Sequence, residues 1–192
     1  MESVLLLGDS IRMGYCPYVK ERLKETIKVC YPEENCRNTQ YTLVSLSQWL
    51  NLVPEPKKVR VVHWNNGHWD IAHWRGEAVS LNSPEQYAHM LERIYDQLCD
   101  CFSDAKVIFA LTTPMNPDGQ IGLNPRTNQE IETYNAVARD VMNKLGVTVN
   151  DLYTVMKDKP SSWYLDYCHL TDNGYRLLAE RVSHSILETL NA

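Results

Sequence analysis

Residues 4–7 (Val-Leu-Leu-Leu) are four branched apolar residues that run directly into the turn-forming sequence Gly8-Asp9-Ser10. A run this short and apolar is typical of a strand that is buried on both faces of a parallel sheet. Gly8 permits a sharp turn, and the Asp9 side chain can hold it by accepting hydrogen bonds from nearby amides. Ser10 then follows the carboxyl end of the strand, where open α/β sheets place their ligand crevices. The stretch therefore predicts a serine at the edge of a functional crevice.

A second polar segment stands near the other end of the chain, where Asp166 precedes His169 by three residues. One turn of backbone can bring two side chains at this spacing together. A carboxylate in contact with an imidazole fixes its tautomer and stabilises the imidazolium that forms during catalysis. Either segment alone is compatible with an ordinary turn or loop. Together they indicate a Ser10 nucleophile, a His169 general base and an Asp166 carboxylate that orients the base.

Short apolar strands alternate with amphipathic helices, which predicts a parallel sheet with helices on both faces. The strands after the first are expected at residues 27–31, 59–64, 106–111 and 147–149. The helices are expected at residues 15–26, 39–50, 83–98, 127–145 and from 171 onward, with capping boxes at Ser83 and Thr127. Residues 71–83 and 115–126 are predicted to be loops that border the crevice. The length suits one domain over residues 1–192.

The Gly8-Asp9-Ser10 turn and the Asp166-x-x-His169 pair together resemble the SGNH (GDSL) family of serine esterases and lipases, over nearly the whole chain. The resemblance implies a flavodoxin-like three-layer α/β/α sandwich with a parallel sheet of about five strands. It also implies an acyl-enzyme on Ser10, with Asp166 and His169 completing a catalytic triad. No cofactor and no metal are expected for this chemistry.

In this family the oxyanion is stabilised by the N–H of the nucleophile, a glycine in a second motif and an asparagine in a Gly-x-Asn-Asp third motif. Residues 33–40, the second-motif region, contain no glycine, so Asn38 or a neighbour before the helix is predicted to supply the N–H. Residues 67–70 read Gly-His-Trp-Asp, with tryptophan where the family has asparagine. The preceding asparagines resemble an Asn-x-Gly-x-x-Asp branch of the family, in which Asn65 takes the role and Asn66 is the reserve.

The polar and aromatic side chains near the crevice are the predicted substrate contacts, namely Asp9, Asn66, His68 and Trp69. Trp69 and Trp74 either stack on a sugar ring or pack the loop. His68, Asp70 and His73 offer an alternative metal site, although their spacing matches no standard zinc motif. The two histidines are better interpreted as loop residues at the rim of the crevice.

Composition narrows the classes of partner. A net charge of −5 argues against nucleic acid as the main partner, and no stretch is long enough for a membrane span. The chain enters its first core strand without a basic segment or a cleavage site, which predicts a cytoplasmic protein unless a leader has been removed.

The six cysteines match no zinc pattern and are predicted to be free thiols. The sequence makes no prediction of oligomeric state.

These features predict a serine esterase that removes small acyl groups, acetyl above all, from a carbohydrate or similar polar alcohol. One alternative is a lysophospholipase or thioesterase, which would need a long apolar acyl channel. Another is a non-catalytic binding module on the same fold, suggested by the departures in the second and third motifs. With a histidine base, activity is predicted to rise with an apparent pKa of about 6 to 7.

Overall fold

The computed structural model describes residues 2–119 and 122–192. Five parallel strands form one sheet in the order β2-β1-β3-β4-β5. The strands are β1 Ser3–Leu7, β2 Lys28–Cys30, β3 Val59–Trp64, β4 Lys106–Ala110 and β5 Thr148–Asn150. The helices are α1 Ser10–Leu23, α2 Thr39–Trp49, α3 His68–Ile71, α4 Pro84–Cys101, α5 Asn128–Leu145, α6 Leu152–Met156 and α7 Asp172–Asn191. The predicted α/β/α fold with about five parallel strands is confirmed.

Helices cover both faces of the sheet because successive residues of each strand point to opposite sides. In β1, Leu5 and Leu7 pack into the core shared with α2, α4 and α5. Val4 and Leu6 pack into the second core, which is shared with α1 and α7. All four residues are at most 1% exposed, as expected for a strand buried on both faces. This explains the uninterrupted apolar run that precedes the turn.

The order of the strands reverses at β1, because the chain crosses to β2 on one side and then to β3 on the other. Ligand crevices form at such a reversal, beyond the carboxyl ends of the two diverging strands. The last residues of β1 and β3, Leu7 and Trp64, are direct partners in the register. Ser10 and Asn65, which follow these two strands, therefore lie at the same edge of the sheet.

The start of α1 differs from the prediction. The helix begins at Ser10, five residues before the predicted start at residue 15, and ends at Leu23. The reason is the Asp9 side chain, which accepts a hydrogen bond from the Ile11 N–H (2.9 Å) and so caps the helix. The nucleophile candidate thus occupies the first position of a helix of 14 residues.

The start of α2 also differs by one residue. Asn38, not Thr39, is the N-cap, and its side chain accepts from the Tyr41 N–H (3.0 Å). The predicted capping boxes at Ser83 and Thr127 are both present.

Several further segments can be compared with their predictions. The strand β5 lies one residue later than predicted, and α6 was not predicted at all. The expected loop at 71–83 contains a short 3-10 segment, Trp74–Gly76. Within the expected loop at 115–126, residues 120 and 121 lie outside the described residues.

A buried arginine ties the first turn to the loop before α2. Arg12 is 1% exposed, and its guanidinium donates to the backbone carbonyls of Gly8 (3.1 Å), Pro32 (2.7 Å) and Glu34 (2.5 Å). Buried polar groups are costly unless they are satisfied, so these bonds fix both segments against each other. Arg12 therefore sets the distance between the nucleophile turn and the second-motif loop.

Within the described ranges, no helix has the length and apolar character that crossing a membrane requires. All six cysteines are free, as predicted.

Candidate active site

Ser10, His169 and Asp166 form a continuous hydrogen-bonded relay. Ser10 Oγ lies 2.9 Å from His169 Nε2, and His169 Nδ1 lies 2.7 Å from Asp166 Oδ2. Hydroxyl, imidazole and carboxylate are thus in the order that nucleophilic acyl transfer needs. The arrangement allows the imidazole to take the serine proton while the carboxylate stabilises the resulting imidazolium.

Hydrogen bonds within the loop that carries Asp166 and His169 fix its conformation. The other carboxylate oxygen of Asp166, Oδ1, accepts from the backbone N–H groups of Cys168 and His169, both at 2.8 Å. The Leu165 N–H donates to the His169 carbonyl (2.8 Å). Partial burial opposes ionisation of Asp166, but these hydrogen bonds and the contact with His169 outweigh it and lower the pKa of the carboxyl. Asp166 is therefore held ionised in one orientation.

His169 is a stronger base than its residue type alone suggests. Its hydrogen bond with Cys168, whose Sγ lies 3.7 Å from Nδ1, contributes most, and the contact with Asp166 adds to it against partial burial. Together these raise the pKa of His169 to about 9. The apparent pKa of about 6 to 7 that the sequence predicts for a histidine base is therefore too low for this site.

We expect kcat/KM for a neutral ester to rise with pH up to about 9, because only neutral His169 accepts the serine proton. In Cys168→Ala, which removes the largest contribution, the rising limb should move to lower pH. Steady-state kinetics across pH measure the rising limb in the wild type and in Cys168→Ala. Cys99→Ala, which removes an exposed thiol, is the matched control. A wild-type limb at ordinary histidine pKa, or one that Cys168→Ala leaves in place, would contradict this assignment.

The backbone at the start of α1 offers one donor for an oxyanion. Ser10 is the first helical residue, and N–H groups of the first turn have no acceptor inside the helix. The helix dipole adds a partial positive charge at the same place. A negative oxygen bound to the Ser10 side chain would therefore be close to a favourable helix end.

Asn65 is packed directly against the nucleophile turn. It is 5% exposed, and its Nδ2 donates to Asp9 Oδ2 (3.3 Å). A Cβ at Gly8 would lie 1.8 Å from Asn65 Oδ1, so the glycine is needed for this close approach. No described residue forms a hydrogen bond with Asn65 Oδ1, which lies against the Gly8 backbone.

The second-motif loop contains a non-glycine residue with left-handed backbone, Arg37 (φ 52°). Its N–H donates to Asn35 Oδ1 (2.8 Å), and Asn35 lines the cavity at Ser10. The side chain of Asn38 caps α2, which leaves the prediction that its backbone N–H is the donor untested. The position with the conformation that favours glycine is therefore Arg37.

Two of the four predicted substrate contacts are buried behind the site. Asp9 is fully buried as the cap of α1, and burial raises the pKa of its carboxyl against its hydrogen bond from Ile11. Asn66 is also fully buried; its Nδ2 donates to the Arg37 carbonyl and to Thr42 Oγ1, both at 2.9 Å. In this structure neither side chain lines the cavity at Ser10, because protein groups occupy their hydrogen-bonding atoms.

The other two predicted contacts, His68 and Trp69, line the cavity at Ser10, which has a volume of about 230 Å³. A wider groove of about 470 Å³ adjoins it and is lined by Arg37, Asn38, Tyr41, Trp69, Trp74, Glu77 and Leu81. Trp69 and Trp74 border both spaces, with ring centroids 5.9 Å apart. A small chamber at the nucleophile thus opens beside an aromatic surface.

The alternative metal site does not assemble. His68 bonds to Thr113 Oγ1 (3.1 Å), and His73 bonds to the Glu77 carbonyl and to Glu130. Asp70 is fully buried and accepts from Thr39 and Asn82, while burial raises its pKa to about 6. Among the described residues, the atoms that could ligate a metal together belong to Asp166, Cys168 and His169. Asp166 and His169 belong to the relay, and Cys168 Sγ contacts the ring of His169.

Sequence reasoning missed Arg126, Asn124 and Tyr167, which also line the cavity at Ser10. Arg126 and Asn124 fall in the aperiodic connection before α5, and Tyr167 lies between Asp166 and His169. The two residues between Asp166 and His169, Tyr167 and Cys168, could have been expected to border the site. The predicted crevice loop at 115–126 includes Asn124 and Arg126, but its sequence does not indicate which of its side chains face the cavity.

A family model described as GDSL-like Lipase/Acylhydrolase family matches residues 6–177. Comparison with curated proteins gives no match.

Several solved structures share the fold at low sequence identity. An acetyl xylan esterase superposes with a TM-score of 0.76 at 16% identity, covering 96% of this chain and 99% of that one. A lipase/acylhydrolase from Enterococcus faecalis gives 0.75 at 20% identity, covering 97% and 95%. A carbohydrate acetylesterase from Sinorhizobium meliloti gives 0.73 at 14% identity, covering 98% and 99%.

Proposed function

The chain belongs to the GDSL-like lipase/acylhydrolase family and is a carboxylic ester hydrolase, and we propose that it acts through an acyl-enzyme formed on Ser10. The observation that carries this proposal is the relay of 2.9 Å and 2.7 Å contacts from Ser10 through His169 to Asp166. A binding module without activity would have no need of this alignment.

In the proposed mechanism, Ser10 Oγ attacks the ester carbonyl while its proton passes to His169 Nε2. The tetrahedral intermediate collapses as His169 returns that proton to the leaving alcohol oxygen, which leaves the acyl group on Ser10. Water then attacks the acyl-enzyme with His169 again as the base, and the carboxylic acid and free serine result. Asp166 stays ionised and stabilises the imidazolium both when the acyl-enzyme forms and when water hydrolyses it.

We assign the oxyanion to three donors around Ser10. The first is the N–H of Ser10 at the start of α1, and the second is the Asn65 side chain beside Gly8. For the third we choose the N–H of Arg37 over Asn38, since Arg37 has the left-handed backbone that a glycine of the second motif would have. In this structure Asn35 Oδ1 occupies that N–H, and a substrate oxygen would replace it.

The proposed substrate is a short acyl ester, acetyl above all, of a carbohydrate or similar polar alcohol. The chamber at Ser10 holds about 230 Å³, and its lining mixes polar with aromatic side chains, which suits a small acyl group better than a long apolar chain. The adjoining groove presents Trp69 and Trp74, and aromatic faces of this kind pack well against sugar rings. Two structural neighbours described as esterases of acetylated carbohydrates support the same substrate class.

We expect 4-nitrophenyl acetate to be hydrolysed with a kcat/KM at least about tenfold above that of the octanoate, because Asn35, Asn124 and Arg126 in the chamber wall are poor contacts for a long apolar chain. Measuring 4-nitrophenyl esters from acetate to octanoate tests the acyl half of the proposal. Release of acetate from acetylated sugars, compared with acetylated linear alcohols, tests the alcohol half. A rate that increases with chain length would favour the lysophospholipase or thioesterase alternative.

A further inference from the structure

An arginine that the proposed mechanism does not use lines the catalytic cavity. Arg126 is half-buried, and its Nε donates to His68 Nδ1 (3.1 Å). Nη1 contacts the Asn124 carbonyl (3.4 Å), Nη2 contacts Cys168 Sγ (3.8 Å), and the guanidinium lies over the Tyr167 ring. The group is therefore fixed in place from several sides.

None of these partners is a carboxylate. Burial, followed by the positive charges of Arg126 and His169, holds the pKa of His68 well below its ordinary value, so its imidazole is neutral. His68 Nε2 lies 3.1 Å from Thr113 Oγ1, which leaves Nδ1 to accept from Arg126. Neutral groups thus orient the guanidinium without cancelling its charge.

Among the described residues that line the cavity, none is an acid, although Arg126 is one of the charges that oppose the burial-raised pKa of the Asp9 carboxyl. The lining consists of Ser10, Asn35, His68, Trp69, Ala72, Trp74, Asn124, Arg126, Tyr167, Cys168 and His169, and it includes no aspartate or glutamate. In the described part of the chain, Arg126 takes part in no ion pair. Arg126 is half-buried, so its guanidinium is only partly exposed to water, and a carboxylate that enters the cavity could pair with it.

The guanidinium also has donors to spare. Arginine carries five N–H groups in a planar fork, and three contacts to acceptors are present here. The terminal nitrogens make only long contacts, to a carbonyl and to a sulfur. A planar carboxylate matches such a fork with two charge-assisted hydrogen bonds.

The position of Arg126 indicates which part of the ester it would meet. Its Nη2 contacts Cys168 Sγ, which in turn contacts the ring of His169. That sulfur contact is with His169 Nδ1, whereas Nε2 faces Ser10 and protonates the leaving oxygen. Arg126 lines the same cavity as Ser10 and His169, so a departing alcohol would pass through a space that Arg126 borders. The oxyanion donors assigned to Asn65 and Arg37 stand on other elements, at the end of β3 and in the loop before α2.

We propose that the alcohol part of the substrate carries a carboxylate that pairs with Arg126, as in a hydroxy acid or an acidic sugar. This inference rests on the proposed function and narrows its substrate class. The pairing exists in the bound substrate before the chemical step, so it should act mainly through KM.

The test compares two acetate esters of equal size, 3-acetoxybenzoate and 3-acetoxybenzamide. For each protein we take kcat/KM for the benzoate divided by kcat/KM for the benzamide. We expect this ratio to be about 10- to 100-fold higher in the wild-type protein than in Arg126→Gln, mostly because the wild type has a lower KM for the benzoate. Arg126→Lys, which keeps the charge and loses the fork, should be intermediate. Arg139→Gln removes the same charge from an exposed pair with Asp151 and should keep the wild-type ratio. The same ratio in the wild type and Arg126→Gln would overturn the proposal.

A second pair moves the charge to the acyl side, with 4-nitrophenyl hemisuccinate compared with 4-nitrophenyl levulinate. A preference for the charged ester in this pair alone would show that the alcohol assignment is wrong.

Calorimetric binding of 3-hydroxybenzoate and 3-hydroxybenzamide needs no turnover, so it separates this inference from the proposed function. Tighter binding of the benzoate that disappears in Arg126→Gln supports the inference even if no aryl ester is hydrolysed, whereas equal binding of the two overturns it.

Discussion

Ser10→Ala is expected to lower kcat/KM for 4-nitrophenyl acetate by at least about 10⁴-fold, because the acyl-enzyme cannot form without the hydroxyl. The fold should be retained, since Ser10 is only the first residue of α1 and the cap of that helix is Asp9. The same variant should lose labelling by a fluorophosphonate, which reacts with an activated serine. Kinetics, intact-protein mass spectrometry and thermal unfolding measure the three expectations.

Ser47→Ala is a suitable control, because Ser47 is an exposed serine on α2 away from the relay. It should keep both activity and labelling. Labelling that persists in Ser10→Ala at Cys168, or full activity in that variant, would show that Ser10 is not the nucleophile.

Asn65→Ala is expected to lower kcat by about 10²- to 10³-fold with little change in KM, as is typical for loss of one oxyanion donor. The tetrahedral intermediate carries a full negative charge, and a donor already held beside the turn stabilises it without reorganisation. Asn65 is held there by its contact with Gly8 and its hydrogen bond to Asp9. Steady-state kinetics with a short aryl ester measure the split between kcat and KM.

Asn66→Ala is the matched comparison, because the adjacent asparagine is buried behind the site. Its Oδ1 accepts from Trp64 Nε1 (2.6 Å), and its Nδ2 donates to the Arg37 carbonyl. Removing it leaves buried donors and acceptors unpaired, at a cost of about 1–3 kcal/mol in the free energy of unfolding. We therefore expect Asn66→Ala to lower thermal stability more, and kcat less, than Asn65→Ala. A near-neutral Asn65→Ala together with an inactive Trp69→Phe would mean that the third motif is aligned incorrectly.

The sequence predicted the fold because the signals for its elements are local. The apolar run before Gly8, the period of the long helices and the capping boxes at Ser83 and Thr127 depend on neighbours within a few residues. The start of α1 was misplaced because Asp9 was interpreted as part of a turn, although a turn that bonds Ile11 is also a helix cap. Element ends are decided by such single hydrogen bonds.

The site was predictable only where its residues form motifs. Ser10, Asp166 and His169 were named from two short motifs at opposite ends of the chain, and the structure brings them together. The loop at 115–126 was predicted to border the crevice, but Arg126 was missed because an aperiodic connection does not indicate which of its side chains point inward.

The basicity of His169 and the conformation of Arg37 were also missed. The first depends on a sulfur whose position relative to the ring is set by the fold of the loop. The second is a left-handed residue without glycine, which no pattern of residue types reveals.

The relay joins two residues that are 159 positions apart in the chain. A ribosome adds residues at about 5–20 per second, so several seconds or more separate the synthesis of the serine from that of its base. During that interval the nascent polypeptide carries a hydroxyl that no imidazole activates, and it cannot be acylated prematurely. The helix that follows the histidine, α7, packs in one core with α1, the helix that begins at the serine. Ester hydrolysis would therefore begin only when α7 packs against α1, so the appearance of activity would report the completion of folding.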